Sequence, residues 1–452
     1  MKSFIKKITV FILALSVLCL SGCGEKGNMD NESGKDEANT TIYYLNFKPE
    51  VADVYDEIAT AYKNEKGINV KVVTAASGTY EQTLKSEMAK SEAPTIFQIN
   101  GPKGYANWKN YCLDLKDTKL YTILTDKTLA IKSGDSVYGI PYVVEGYGII
   151  YNAAIMDKYF GLSDKKVNIN STEEINSFEK LKMVVEDMTR LKKELGIEGV
   201  FGATSLKSGE EWRWHTHLAN IPLYNEFSEG KIDLTSDKTK EIAFKYANNF
   251  KNIFDLYINN STTDKKLLGS KSVADSMAEF ATGKCAMIQN GNWAWSQIKG
   301  VSGNKVQEED IKFLPIYTGV KGEETLGLAI GTENFICINK NASEAQKKAS
   351  ADFLYWLFSS ETGKKFVAEK LDFIAPFSSF DETEVPSDPL AKEVVRWMNK
   401  DNVTTIPWNF TIFPSQTFKD NFGSALLSYA QGKTTFDELK NSVIADWKKE
   451  SK

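Results

Sequence analysis

The chain has 452 residues, of which 42% are hydrophobic, 25% charged and 12% aromatic. These proportions are those of a globular protein, and they exclude a disordered, collagen-like or multi-span membrane chain. The formal charge of −5 offers no basic footprint and argues against nucleic acid as a partner. With His215 and His217 as the only histidines, the commonest general base and metal ligand is nearly absent.

The first 23 residues have the pattern of a bacterial lipoprotein signal. Three lysines lie within the first seven residues, and the apolar run 8–20 is too short to anchor the chain across a bilayer. The run ends in Leu-Ser-Gly followed by Cys23. We therefore expect residues 1–22 to be removed as a signal peptide and Cys23 to carry lipid at the extracytoplasmic face of the cell membrane. The alternative is an ordinary secretory signal with a chance cysteine.

Residues 23–40 are predicted to be a flexible tether, because they carry almost no apolar side chains that could be buried. Removal of the 22 signal residues leaves 430 residues and takes the formal charge from −5 to −8, since three lysines are lost. This length exceeds one ordinary domain, so we expect two lobes, each with its own core.

Three cysteines remain in the folded part: Cys112, Cys285 and Cys337. An odd number does not imply a disulfide framework in an exported protein. Cys285 and Cys337 lie in apolar runs and are expected to be core residues.

The elements that follow the tether alternate between strand and helix. Strands are indicated by runs of β-branched and aromatic residues, and helices by apolar residues at helical spacing. The predicted order is strand 41–46, a helix that opens at Pro49 and ends at Gly67, strand 68–72, a helix with Leu84 and Met88, and strand 94–99. This β-α-β-α-β order implies a parallel sheet with right-handed crossovers.

The same alternation recurs later in the chain, which favours a second α/β lobe over one large sheet. The later predicted elements are helix 178–191, strand 200–204, helix 242–257, strand 284–289, a helix starting near Trp293, helix 345–358 with a capping box of Ser343 and Gln346, and two C-terminal helices over 418–429 and 436–447.

Amide side chains follow two predicted strands of the first lobe. Asn46 ends the first strand, and Gln98 and Asn100 lie at the end of the third. Ligands of parallel sheets bind beyond the carboxyl ends of the strands, so these residues are candidate ligand contacts. An amide at a strand end is also an ordinary turn former, and that alternative stays open.

Two segments combine unusual residues. Glu145 lies between two apolar runs, with Tyr147 close by in the sequence. A carboxylate in an apolar environment should be ion-paired, hydrogen-bonded or facing a cavity. The alternative is that Glu145 lies on a solvated loop. At 290–292 a strand meets an Asn-Gly-Asn turn and then a helix. We expect Asn292 to cap that helix and Trp293 to face a cleft.

Tryptophans recur at similar junctions. Trp212 lies near the start of a helix, and Trp408 lies between two prolines. Sugar rings have flat C–H faces that stack on indole and hydroxyl edges that need amides, carboxylates and lysines, so these segments favour a sugar ligand. The alternative is that each tryptophan belongs to the core.

The sequence resembles the family 1 extracellular solute-binding proteins of ABC importers, the group that includes maltose-binding protein. The resemblance rests on SVYGIPYVVEGYGIIYN, which is similar to the segment crossing between lobes, and on AMIQNGNWAW, similar to a strand–Gly–Trp–helix element. It spans residues 41–452. In that family the matching positions contact sugar, which here implies Glu145, Trp293 and Trp212.

By the same resemblance the strand ends place Asn46, Lys48, Gln98 and Asn100 at the cleft. Tyr147, Asn292 and Trp408 complete the candidate ligand-binding set. One departure concerns the end of the third strand, where maltose-binding members have a stacking Trp and an Asp, and this chain reads Gln-Ile-Asn-Gly from Gln98. That departure puts maltose itself in doubt.

The resemblance implies an α/β fold of the type II periplasmic-binding-protein class, with two lobes, a cleft between them and three hinge crossings. The expected crossings are 144–147, 326–331 and 372–378. The expected lobes are 41–143 plus 331–372 for the N-terminal lobe, and 148–326 plus 377–452 for the C-terminal lobe.

The implied function is that of a lipid-anchored, monomeric binding protein without cofactor or metal, which captures a sugar and hands it to ABC permease subunits. The chain has no G-x-S-x-G, H-E-x-x-H or C-x-x-C motif, so we expect no catalysis. The enzymatic alternative is a secreted glycoside hydrolase that pairs Glu145 with Glu210 or Glu211. The same fold could also hold a polyamine, a peptide or a ferric ion in place of a sugar, or serve as a sensor.

Arginine occurs only at Arg190, Arg213 and Arg396. Bidentate clamps on anionic ligands are therefore scarce, and we expect an uncharged mono- or oligosaccharide. Arg213 is the one feature that could instead favour a uronic acid.

Overall fold

The computed structural model describes residues 40–451 apart from 77, 203–204, 235 and 382. The predicted signal peptide, Cys23 and nearly all of the predicted tether lie outside the described residues. Across the part of the chain that is described, no helix has both the length and the apolar character needed to cross a membrane.

The chain builds a first set of elements before it reaches Glu145. They are β1 (Thr41–Asn46), α1 (Ala52–Lys66), β2 (Asn69–Thr74), α2 (Tyr80–Met88), β3 (Ile96–Ile99), α3 (Gly101–Trp108), α4 (Lys119–Ile123), β4 (Ile131–Ser133) and β5 (Ser136–Gly139). The helix α1 ends, as predicted, at Gly67, whose φ of 75° is a left-handed conformation that glycine adopts without steric cost.

A second set of elements runs from Glu145 to Gly331. They are β6 (Glu145–Asn152), α5 (Ala153–Phe160), α6 (Phe178–Arg190), α7 (Lys192–Leu195), a π-helical turn (Arg213–Leu218), α8 (Ala219–Glu229), α9 (Ala247–Asn259), α10 (Val273–Ala281), β7 (Met287–Gly291), α11 (Ala294–Lys299), β8 (Ile311–Leu314) and β9 (Leu326–Gly331).

The remaining elements are β10 (Phe335–Ile338), α12 (Glu344–Ser359), α13 (Glu361–Lys365), α14 (Pro389–Met398), β11 (Thr404–Ile406), a short 3-10 helix (Asn409–Ile412), α15 (Gln416–Ala430) and α16 (Phe436–Glu450). The predicted capping box of Ser343 and Gln346 is present at the start of α12. Both predicted C-terminal helices are confirmed.

The first sheet has the strand order β10-β3-β1-β2. The strands β2 and β3 both pair parallel with β1, which confirms the predicted β-α-β-α-β unit, and β10 joins antiparallel to β3. Alternate residues enter two different cores: Tyr44 and Ile96 pack with α12 on one face, and Leu45 and Phe97 pack with α2 on the other. Both faces of this sheet are therefore covered, as expected of a mostly parallel sheet.

The second sheet is organised around β6, which pairs antiparallel with β7, β8 and β9, while β11 joins parallel to β9. Its residues also alternate between two cores, with Ile149 in one and Ile150 in the other. The two sheets and their separate cores define a first lobe and a second lobe.

Two of the later element predictions are wrong. The predicted strand 200–204 does not form over the described residues 200–202, where Phe201 makes only isolated bridges to Ser261 and Met287. The predicted helix 242–257 begins only at Ala247, because Phe244 has a φ of 47°, which a helix cannot contain. Cys285 and Cys337 are fully buried, as predicted, and Cys112 is buried as well.

Three segments cross between the lobes and lie side by side. Val144 N donates to Ile374 O at 2.8 Å, and Glu145 pairs with Gly331 across the sheet. The predicted crossing 326–331 is the strand β9 of the second sheet. The chain therefore passes to the first sheet after this strand, over residues 332–334, which we call the second crossing; the first crossing is at 144–147.

The predicted lobe boundaries remain a proposal. Phe377 is buried in the first-lobe core together with Phe373, and Phe380 packs against that core. This packing favours an end of the first lobe near 380 rather than at 372.

Candidate functional site

The loops of the two lobes touch on the side where the strands of the first sheet end. Gly101, just after β3, lies so close to the second lobe that a Cβ there would be 2.8 Å from Thr411 Cβ. Gly78, after β2, lies equally close to Gly209 O. The candidate site is therefore bounded by both lobes and by the crossing segments.

One side of the site is built from rings of the second lobe. These rings, which we call the aromatic wall, belong to Tyr147, Trp212, His217, Trp293, Trp408 and Phe410. The Trp293 ring lies 6.0 Å from that of Trp212 and 6.5 Å from that of Trp408. Trp212 and Trp293 are partly exposed, whereas Trp408 is 6% exposed.

Tyr147 supports this wall from behind. It is fully buried, its ring stacks on His217 at 4.1 Å, and its hydroxyl donates to His217 O at 3.0 Å. The predicted site residue Tyr147 is thus placed in the second layer of the wall, where it fixes the position of His217.

Two glycines allow the indoles to approach the backbone. The Trp293 ring covers Gly291, and a Cβ at Gly291 would lie only 2.2 Å from the nearest ring carbons. A Cβ at Gly331 would lie 2.6 Å from the Trp408 ring. Only glycine leaves room for these contacts, which explains why each tryptophan is matched by a glycine on β7 or β9.

Several buried polar atoms around the wall and the second crossing have no hydrogen-bond partner among the described residues. They are Asn100 Oδ1, His217 Nδ1, Thr332 Oγ1, Asn334 Nδ2 and Trp408 Nε1. A buried polar atom left unpaired costs about 1–3 kcal/mol, so such atoms are usually few. Two of these atoms belong to rings of the aromatic wall, and Thr332 follows Gly331, which lies against the Trp408 ring. Apolar rings with unpaired polar atoms nearby would suit a ligand with both apolar faces and hydroxyl groups.

Lys48 and Glu145 form a buried ion pair at the floor of the site. Lys48 Nζ donates to Glu145 Oε1 at 2.7 Å, and both side chains are at most 5% exposed. Burial raises the pKa of Glu145, although the charge of Lys48 opposes this. Burial alone would lower the pKa of Lys48, but the charges of Glu145 and Glu50 outweigh it and the net shift is upward. The pair ties the first lobe to the first crossing.

Glu333 is a further carboxylate of the site that the sequence analysis missed. Burial and the charge of Glu145 raise its pKa to about 7, while Lys48 and Lys419 act in the opposite direction. Its Oε2 accepts from Asn100 Nδ2 at 3.4 Å, so the predicted site residue Asn100 does lie beside the second crossing.

The side-chain amides of Asn46 and Gln98 both form hydrogen bonds within the first lobe. Asn46 Oδ1 accepts from Lys48 N at 3.1 Å, and its Nδ2 donates to Lys48 O, so the side chain holds the turn after β1. Gln98 Oε1 accepts from Phe47 N at 2.8 Å, and its Nε2 donates to the hydroxyls of Tyr44 and Tyr142. These contacts favour a supporting role for both predicted ligand residues.

A Gln98→Leu substitution tests that role. We expect it to lower the free energy of unfolding by about 1–3 kcal/mol, because it removes the acceptor for Phe47 N and the donor to the hydroxyls of Tyr44 and Tyr142. Ligand affinity per folded molecule should stay within about threefold of the parent protein. Chemical unfolding and calorimetric titration measure the two quantities, and a large loss of affinity with unchanged stability would make Gln98 a direct ligand contact instead.

The predicted helix cap at Asn292 is wrong. The residue before α11 is Trp293, and Asn292 Oδ1 instead accepts from Gly146 N at 2.9 Å. Asn292 N also donates to Gly146 O at 3.0 Å. These two hydrogen bonds with the backbone of Gly146 hold the turn that carries Trp293 against the first crossing.

His217 and Phe410 are members of the wall that the sequence analysis missed. The rings of Trp212 and His217 meet edge to face at 4.8 Å, although the residues are five positions apart. This is possible because residues 213–218 form a π-helical turn, whose i to i+5 bonding brings such positions onto one face. The sequence signal that could have indicated His217 is the run WRWHTH at 212–217, which concentrates ring side chains in six residues.

A protein family described as bacterial extracellular solute-binding protein matches residues 57–393 of this chain. No protein of the curated set matches the chain at a significant level.

Solved structures of sugar-binding proteins share the fold. The chain is similar to RafE in complex with raffinose, with a TM-score of 0.69 and 20% identity over 92% of this chain and 100% of RafE. A sugar transporter protein from Bacillus licheniformis in complex with stachyose gives a TM-score of 0.65 at 15% identity, over 91% of this chain and 100% of that one. Maltose-bound MalE3 of T. maritima gives 0.64 at 15% identity, over 90% and 99%. The predicted two-lobe α/β class is thereby confirmed.

Proposed function

This chain belongs to the bacterial extracellular solute-binding proteins, and we propose that it captures a sugar or oligosaccharide between its lobes and delivers it to the permease subunits of an ABC transporter. The observation that carries the proposal is the aromatic wall with unpartnered buried polar atoms beside it. Such a site offers stacking faces and hydrogen-bonding edges at once, which is the chemistry of a pyranose ring. The sugar ligands of RafE and MalE3 support it by analogy.

Binding would act by favouring the closed arrangement. A ligand that contacts both lobes has a higher affinity for the form in which they meet, so it shifts the population toward that form. The close approach of Gly101 to Thr411 supports a closed form with direct contact between lobes.

A thermal-shift screen of residues 24–452 over oligosaccharides tests the proposal. A ligand that binds only the folded protein raises its apparent stability by mass action, and we expect a shift of several degrees for at least one sugar. Calorimetric titration of that sugar should then give one site per chain. A screen in which no sugar raises the melting temperature would contradict the proposal.

We further propose that Cys23 carries a lipid anchor, that residues 24–40 tether the folded part to the extracytoplasmic face of the membrane, and that the protein works as a monomer. An extracytoplasmic location is consistent with an extracellular binding-protein family. Mass spectrometry of the membrane fraction for an acylated N-terminal cysteine tests the anchor.

The glycoside hydrolase alternative would need two carboxylates in catalytic roles. Glu145 is bound to Lys48, and Glu210 Oε2 accepts from Val273 N at 2.6 Å, so neither is held as a free acid–base group. Glu211 Oε2 has no hydrogen-bond partner among the described residues, and the pKa of Glu211 is raised by burial. Release of sugar from any glycan by the purified protein would revive this alternative.

A polyamine ligand would require an excess of carboxylates. The site instead holds cations among its carboxylates: Lys48, Arg213 and Lys419 lie near Glu50, Glu145, Glu210 and Glu333. This mixed charge favours a sugar over a polycation.

The pKa of Glu333 predicts a pH dependence of affinity. In the structure described, the pKa of Glu333 is raised to about 7. When the lobes separate, we expect water to reach the carboxyl group and its pKa to return toward the ordinary 4.5. The closed form would then bind a proton more tightly, and affinity should fall as pH rises from about 5 to 8, by roughly tenfold. Calorimetric titration at the two pH values measures this. Glu333→Gln should flatten the profile, and an unchanged slope in that variant would contradict the assignment.

A further inference from the structure

Arg213 differs from the other two arginines of the chain. Arg190 is paired with Asp187 at 2.6 Å, and Arg396 with Glu393 at 2.7 Å. Arg213 is only 4% exposed, yet among the described residues no carboxylate lies within 4 Å of its guanidinium, and its terminal nitrogens make no hydrogen bond. A buried guanidinium normally has an anionic partner.

Two contacts hold this guanidinium in a fixed plane. Its Nε donates to Asn290 Oδ1 at 3.2 Å, and its central carbon lies 3.8 Å from the centroid of the Trp212 ring. With Nε engaged and one face on the indole, the two terminal nitrogens are left to point in a common direction. That is the fork geometry that binds a carboxylate with two parallel hydrogen bonds.

The position of Arg213 is within the candidate site. Asn290 precedes Gly291, which lies under the Trp293 ring, and Trp212 is itself part of the aromatic wall. Glu50, in the turn after β1 of the first lobe, is near enough for its charge to stabilise the guanidinium. The guanidinium of Arg213 thus lies against the aromatic wall.

The environment makes this positive charge costly. Burial lowers the pKa of Arg213 to about 9, and the charges of Glu210 and Glu50 offset only part of that effect. A ligand that brings a negative charge to the guanidinium would relieve the cost of burying it, whereas a hydroxyl group would do so only in part.

We propose that the ligand of this site is an acidic sugar, whose carboxylate accepts two hydrogen bonds from the terminal nitrogens of Arg213 while its ring lies against Trp212 and Trp293. The inference rests on the proposed sugar-binding function and replaces the expectation of an uncharged sugar. That expectation came from the small number of arginines, but the position of a single arginine decides which ligand is recognised.

Matched pairs of ligands test the inference by calorimetric titration. The probes are oligogalacturonides, glucuronosyl xylo-oligosaccharides and sialyllactose, each beside the same sugar with its carboxyl group reduced to a hydroxymethyl group. For the unmodified protein we expect at least one acidic member to bind about tenfold or more tightly than its reduced counterpart.

Variants then assign the preference to Arg213. Arg213→Met should weaken binding of the acidic sugar by about tenfold or more and change binding of the reduced sugar by less than about threefold. Arg213→Lys should retain part of the preference, since it keeps the charge but loses the fork. The control is Lys182→Met, which removes a charge from an exposed side chain of α6 that pairs with Glu186 and should leave both affinities unchanged.

The outcomes separate the inference from the proposed function. Binding of neutral sugars with no acidic preference, or an equal loss of both sugars in Arg213→Met, would overturn the acidic ligand and leave sugar binding in place. Binding of no sugar of either kind would overturn both. If Arg213→Met does not fold, the paired ligands on the unmodified protein and on Arg213→Lys still decide.

Discussion

Replacing Glu145 by glutamine is expected to lower the free energy of unfolding by about 3–5 kcal/mol, because it leaves the charge of Lys48 buried without its partner. The two groups lie 2.7 Å apart, and their side chains are 5% and 4% exposed. Glu50 remains 3.6 Å from Lys48 Nζ, which places the expected loss toward the lower end. Chemical unfolding at pH 7, followed by tryptophan fluorescence, measures the difference.

A double-mutant cycle provides the control. The Lys48→Met variant leaves Glu145 buried without its cation and should also be destabilised, while the double variant with Glu145→Gln should recover most of the loss, because no charge is then left unpaired. Losses that simply add in the double variant would show that the two residues do not act as a pair.

Trp293→Ala is expected to weaken sugar binding by about 1–3 kcal/mol, or roughly one to two decades in affinity. The Trp293 ring is partly exposed and lies over Gly291, with Trp212 and Trp408 nearby. It packs against the margin of the second-lobe core and keeps an exposed part that can meet a pyranose ring. Calorimetric titration of the variant measures the affinity, and chemical unfolding should show only a small change.

Trp295, two residues further on, is the matched control. It is 4% exposed and packs in a core of the second lobe. Trp295→Ala should show the opposite pattern, with about 3–5 kcal/mol lost from the free energy of unfolding and affinity per folded molecule kept. Normal affinity together with a large drop in stability for Trp293→Ala would place that ring in the core as well.

The fold could be predicted where sequence pattern and packing agree. The strand β1, the helix α1 and its stop at Gly67 follow from local periodicity and from a glycine that alone adopts the left-handed conformation easily. The predicted strand at 200–204 failed because an apolar run does not specify a strand partner, and Phe201 found only single bridges. The helix before Ala247 failed because the spacing of its apolar residues carries no sign of the positive φ at Phe244.

The sequence indicated which types of residue form the candidate site, but it did not show what each side chain contacts. The aromatic residues at strand–helix junctions pointed to Trp212, Trp293 and Trp408, and they do lie together. The amides of Gln98 and Asn292 could not be assigned, because whether an amide meets a ligand or a backbone group depends on tertiary contacts.

The contacts of Arg213 also could not be predicted from the sequence. Counting arginines indicated an uncharged ligand, whereas the structure places one arginine against Trp212 with its terminal nitrogens unpaired among the described residues. Composition reports how often a residue type is available, but a single buried guanidinium in the right plane is enough to select an anion.

The claim that sugar binds between the lobes is tested most directly by small-angle X-ray scattering of residues 24–452 with and without a saturating sugar. A ligand that contacts both lobes favours the closed form, so we expect a smaller radius of gyration in the bound protein. A radius that stays the same at saturation would contradict binding between the lobes.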